Sequence, residues 1–166
     1  ENIWMSTSYT LSHDEIFNVD NNASLVVQEA KGSALTSAIG TAVTYDTRNH
    51  PHNPNRGLFF QLGTDFAGVG GDVRYVRVQG EGRAYYPITD EITFVGRVIG
   101  GHIEGWGGDD VRLLDLYYKG GETVRGFDRA GFGPRDTDSG DALGGKTFWA
   151  ATAEERFPLP LIPDEL

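Results

Sequence analysis

From Val73 to Tyr86 the chain alternates with a period of two. Tyr75, Arg77, Gln79, Glu81, Arg83 and Tyr85 fall on one face, and Val76, Val78, Gly80, Gly82, Ala84 and Tyr86 on the other. Successive side chains of a strand point to opposite sides of its sheet, so this segment is a strand with one wet side and one apolar or small side. In a soluble sheet the apolar side meets a core. In a membrane barrel it meets lipid while the charged row lines an aqueous lumen. The alternation is the same in both, and periodicity alone does not choose between them.

The same rhythm recurs along the chain. Leu58, Phe60, Leu62 and Phe66 share a face opposed by Gln61 and Asp65, and the short link from Gly68 to Asp72 predicts a hairpin into the next strand. Between Ile92 and Ile103, Phe94 and Val98 oppose Arg97. Further strands are expected at about Ile3 to Leu11, Leu35 to Tyr45 and Phe148 to Phe157, which gives an all-β antiparallel meander of about six strands. The segment Ser24 to Lys31 reads two ways: a short helix capped by Ser24 and stopped by Gly32, or a strand extension favoured by Val26 and Val27. No run approaches the roughly 18 to 20 apolar residues of a membrane-spanning helix. The 23 glycines among 166 residues suit many strands joined by turns.

The Ser24 to Lys31 segment is one of two connections that break the rhythm, and the second is much larger. From about 107 to 146 lie roughly 40 residues with little strand pattern, and structureless loops of that length inside a compact domain are usually functional or disordered. Val111 to Tyr118 is apolar and aromatic and is expected to dock on the sheet. Arg135 to Asp141, with Asp136, Asp138, Ser139 and Gly140, is expected to fan out into solvent. Between them stands Gly120-Gly121-Glu122-Thr123-Val124-Arg125-Gly126-Phe127, one arginine set between a glycine pair and a Gly-Phe step.

That octet resembles the tip of the large sixth loop in the BamA family of outer-membrane barrel assembly factors, whose pattern is Val-Arg-Gly-Phe or Val-Arg-Gly-Tyr; two-partner secretion pores share the tetrapeptide. Three more landmarks occur in family order. Tyr45-Asp46-Thr47-Arg48-Asn49 followed by Pro51, Pro54 and Gly57 is similar to the family's tight periplasmic turn. Tyr85-Tyr86-Pro87-Ile88-Thr89-Asp90 resembles the next such turn, and Ala153-Glu154 with Phe157-Pro158-Leu159-Pro160 the strand and turn after the long loop. The resemblance covers nearly the whole chain. It implies that residues 1–166 are part of a 16-stranded transmembrane β-barrel, its seventh to twelfth strands, without the POTRA domains or the first and last strands.

The resemblance also implies a function. The family folds and inserts outer-membrane β-barrel proteins in the bacterial outer membrane, without cofactor or covalent chemistry. Its partners are the lipid bilayer, unfolded outer-membrane proteins and the lipoproteins of the assembly complex. A segment lacking the outer strands would expose two sheet edges and self-associate through them. Arg125 would point inward and pair with Glu154 on the strand after the loop, Glu155 alternating to the other face. Gly120, Gly121 and Gly126 would let the backbone bend beside Val124 and Arg125, and Phe127 would pack the tip. The competing readings are a two-partner secretion translocator pore and a standalone small β-barrel or binding module.

Composition narrows the remaining classes. A net charge of -10 disfavours nucleic acid, whose phosphates require a basic surface. The absence of cysteine removes disulfides and thiolate metal sites together. His50 and His52 lack a third ligand and read as turn decoration, and Asp136, Asp138 and Asp141 lack the terminal glutamate of a calcium loop. No nucleophile, base and orienting group stand together, so no enzyme is expected; Glu81 and Asp65 are explained as members of a polar row. The three prolines between Phe157 and Pro163 predict that the last strand stops in a turn.

Overall fold

A computed structural model describes residues 2–158. It is a single six-stranded antiparallel sheet in sequence order: β1 (Ile3–Ile16), β2 (Gly32–Asp46), β3 (Gly57–Gly71), β4 (Tyr75–Pro87), β5 (Thr93–Gly105) and β6 (Thr147–Arg156). Each strand pairs with the next along almost its full length, so β1 and β6 are the two edges. The all-β meander of six strands expected from alternation is therefore the fold found.

The strands are 10 to 15 residues long, more than the five or six of an average globular strand and enough to cross a bilayer at a tilt. Three boundaries differ most from expectation. β1 continues through Ile16, because Ser12 to Ile16 keep pairing with Gly32 to Thr36. β3 continues through Gly71, so the link to β4 is only residues 72–74, and Val73 packs in the core instead of entering β4. A register shift between Thr36 and Ala38 absorbs the extra length, where Gly71 takes a φ of 80°.

The ambiguous segment between β1 and β2 forms a short helix, α1 (Leu25–Glu29), with the Ser24 hydroxyl accepting the Val27 N–H. Gly32 is not its stop. The helix closes at Ala30, and Gly32 opens β2 with a φ of 141°. The expected turn after Phe157 lies mostly outside the described residues.

Polarity across the sheet is the reverse of a soluble domain. Register places Ser8, Gly40, Asp65, Arg77 and Ile103 in one row across the sheet, and Gln61, Glu81, Ile99 and Ala150 in another. This polar face is the one covered by the long loop. The opposite face carries Met5, Tyr9, Val43, Leu58, Phe60, Leu62, Phe66, Val76, Val78, Phe94, Val98 and Trp149, all exposed. A covered charged side with a bare apolar side is the pattern of a strand wall in a membrane β-barrel, whose outward residues meet hydrocarbon.

What core exists sits near the loop end of the polar face. Ala38, Ala67, Val73, Tyr75 and Ile103 are buried together, and Val111, Leu116 and Tyr117 of the long loop pack against them. The expected docking of Val111 to Tyr118 is thus found. It includes one turn of 3-10 helix at Leu113–Asp115.

The candidate functional site: a loop laid along the polar face

The site is assembled by the connection between β5 and β6, residues 106–146. Its root is locked first. The Trp106 indole N–H donates to the Ala67 carbonyl at 2.9 Å, and its ring stacks on Phe66 with centroids 5.2 Å apart. Gly68, at a φ of 126°, lies so close beneath that ring that any Cβ there would run into it.

Beyond the root, arginines tie the loop to three strands. Arg112 donates to the Asp115 carboxylate at 2.7 Å and to the Thr36 hydroxyl at 2.9 Å, with Asp14 of β1 at 3.5 Å. Arg77 of β4 donates to the Asp115 carbonyl at 2.8 Å and lies over the Tyr75 ring. Tyr117 pairs with Gly145 as the chain enters and leaves, and its ring meets Phe148 at 4.6 Å. The Lys119 ammonium sits 4.2 Å from the Phe148 centroid, where burial holds its pKa below the ordinary lysine value.

The tip then descends the polar face. Lys119 bridges to Phe132, and within that loop Thr123 and Val124 donate their N–H groups to the Gly120 carbonyl. Gly126 takes a φ of 93°, and Phe127 stacks edge-on against Phe132 at 5.4 Å while its other side stays exposed. At Gly120 and Gly121 a Cβ would collide with the carbonyls of Asp128 and Phe127, so both positions demand glycine for close backbone approach. Arg125 Nη2 lies 3.1 Å from Glu154 Oε1. The guanidinium is 86% exposed and the carboxylate 28%. Glu154 pairs with Val95, near the end of the sheet opposite the loop's root, so the tip spans most of the sheet's depth.

Around that contact lies a cationic surface that spacing did not single out. Arg83, Arg97, Arg125 and Arg156 line one hollow with Tyr85, Val95, Thr152 and Glu154. Arg83 and Arg97 face each other directly across β4 and β5, and both donate to Glu81, at 2.5 and 2.6 Å. Alternation had placed Glu81 and Arg83 in one polar row. It could not show that Arg97 is their cross-strand partner.

The second half of the loop departs from expectation. Arg135 to Asp141 is solvent-facing but does not fan out: Arg135 bridges to Ala142, Asp136 caps a tight turn by accepting from the Asp138 and Ser139 N–H groups, and Asp141 reaches across to α1. There its carboxylate accepts the Ser24 N–H at 2.8 Å. That hydrogen bond is the main cause holding the Asp141 carboxyl below the usual aspartate range. A depressed folded pKa means that the tether is fully present above the unfolded aspartate pKa and is lost as pH falls through the lower folded one. Hydrogen exchange at the Ser24 amide should therefore stay protected at about pH 4 and lose protection only in stronger acid. Protection lost already at pH 5 would show that another group controls it.

The histidines do turn chemistry. His50 Nδ1 accepts the N–H groups of His52 and Asn53, while Asn49 and Asn55 bond across the same turn. Gly57, at a φ of 110°, packs against the Thr47 carbonyl. Among the described residues no three His, Asp or Glu side chains gather as a metal site.

With this geometry in view, the kinship of the chain is informative. An outer membrane protein assembly factor BamA from Neorickettsia risticii is 31% identical over the whole chain, which spans 22% of that relative. A sorting and assembly machinery component 50 homolog from Mus musculus is 31% identical over 98% of the chain, which spans 35% of it. The chain thus spans only 22% and 35% of the length of these two relatives. The crystal structure of BamA from Haemophilus ducreyi lacking POTRA domains 1-3 superposes with a TM-score of 0.72 at 22% identity, over 81% of this chain and 28% of that one, and shares its fold. All of residues 1–166 match the Omp85 superfamily domain, and the chain belongs to that superfamily as a BamA-like segment of its β-barrel.

Proposed function

We propose that residues 1–166 form part of the wall of an outer-membrane β-barrel, in a bacterial factor that folds and inserts other β-barrel proteins. The observation that carries this reading is the inverted polarity: exposed apolar rows on one face, and on the other a charged face covered by its own loop. The superfamily match and the assembly factors among the relatives support the functional half. In this reading the work is physical. An unpaired strand edge is costly in hydrocarbon, and a barrel that offers a paired or polar route lowers that cost. The bilayer, unfolded outer-membrane proteins and the other components of the assembly complex are its partners, and no cofactor takes part.

The finer part of the proposal is that Arg125 anchors the loop tip in the lumen through Glu154. An ion pair this exposed contributes no more than about 1 kcal/mol, so its role is placement of the tip rather than stability of the sheet. Arg125→Glu in the full-length protein should free residues 121–130 to protease and reduce assembly of substrate barrels, with the thermal midpoint little changed. Combining it with Glu154→Arg should restore part of both. Unaltered assembly and protease resistance in Arg125→Glu would remove the anchor from the mechanism.

A further inference from the structure

The lipid-facing side of the sheet is not uniformly covered. Between β3 and β6, Gly82, Ala84, Gly96, Ala151 and Ala153 leave a floor without large side chains, walled by Tyr45, Leu58, Phe60 and Val98; the shallow, open groove offers about 610 Å³. The β3, β4 and β5 backbone beneath it is paired on both sides and the β6 backbone on its β5 side, and ladder hydrogen bonds lie in the plane of the sheet, so a strand lying in the groove finds no N–H or C=O directed at it. The outward-facing side chains around it are uncharged until Glu155, which lies two residues beyond Ala153 on the same face of β6.

We propose that this groove seats one acyl chain of a phospholipid whose ammonium headgroup meets Glu155. The inference rests on the membrane-barrel reading above. A concave apolar surface in hydrocarbon gains dispersion contacts only from an occupant that needs no hydrogen bonds, and an alkyl chain meets that condition. The single anion at the groove's end selects a headgroup bearing a positive charge over a purely anionic one. Neither glycine of the floor has the positive φ that would forbid a side chain. A Cβ on Gly96 would come no closer than 3.8 Å to the Phe94 ring, and one on Gly82 no closer than 4.0 Å to Phe60. The space is therefore available for filling by mutation.

The test uses the full-length protein reconstituted in phosphatidylethanolamine–phosphatidylglycerol bilayers, then extracted in mild detergent and analysed by native mass spectrometry. The wild type should retain phosphatidylethanolamine, and the Gly82→Leu/Gly96→Leu variant should lose at least about nine-tenths of it. Glu155→Gln should still retain lipid, but with the preference over phosphatidylglycerol reduced several-fold. Retention unaffected by the double variant, or a protein helix recovered in place of lipid, overturns the proposal. A separate readout isolates the premise: Trp149 is 76% exposed on the same face. With the other tryptophans replaced by phenylalanine, its fluorescence should be quenched by brominated acyl chains. Quenching without lipid retention sinks the groove alone; no quenching sinks the lipid-facing reading with it.

Discussion

Leu62→Arg is expected to destabilise the protein in lipid vesicles by about 2–4 kcal/mol, the cost of a guanidinium near mid-depth on the lipid side of a barrel. Leu62 lies near the middle of β3, opposite Val43 and Gly80, on the exposed apolar face. Gln79→Arg puts the same group on the polar face, opposite Gly63 and Gly101, and should change stability by less than about 0.5 kcal/mol. The contrast decides what lies outside the sheet. In water an exposed Leu62→Arg would also be nearly neutral, so equal effects in reversible urea unfolding would refute a lipid-facing surface.

Glu81→Ala should produce the next largest loss, about 1–2 kcal/mol. Arg83 and Arg97 are direct cross-strand neighbours, and like charges in that position repel unless something bridges them. Glu81 is the bridge, accepting from both. Fully buried pairs cost about 3–5 kcal/mol when one partner is removed, but these side chains are a fifth to a third exposed, so solvent screens part of the penalty. Two features identify the mechanism in denaturant titrations. Raising salt should shrink the loss, and adding Arg97→Gln should recover most of it. A salt-independent loss would mean that Glu81 acts by packing.

Much of the fold was legible in the sequence because a two-sided strand writes its register into every second residue. The split of Arg77, Gln79 and Glu81 from Val76, Val78 and Gly80 is the split found on β4. Phe94 and Val98 oppose Arg97 on β5 for the same reason, and Ser24 caps α1 because a hydroxyl before a helical turn meets its free N–H groups. Boundaries were less legible. Ser12 to Ile16 look like loop residues alone and become strand because β2 offers them partners, which is a tertiary cause. The same holds for Asp141, whose acidic neighbourhood signals solvation while its carboxylate closes a contact with Ser24, 117 residues away.

The candidate site divides along the same line. The glycine frame around Arg125 was visible, since close backbone approach and a positive φ leave few residue choices. The root was not. Trp106 and Gly68 are 38 positions apart, and nothing local in either announces that one fits over the other.

By itself the sequence determined the alternation, the strand count, the turns and the glycine-framed arginine, because each depends on neighbours within a few residues. Only the tertiary structure decided which side of the sheet is outside, since alternation is symmetric and a covering loop is not. It also decided that Arg97 joins Glu81 and Arg83, and that the loop's root meets β3 while its middle meets β1, β2 and β4. Those are contacts between distant segments, and they exist only once six strands bring them together.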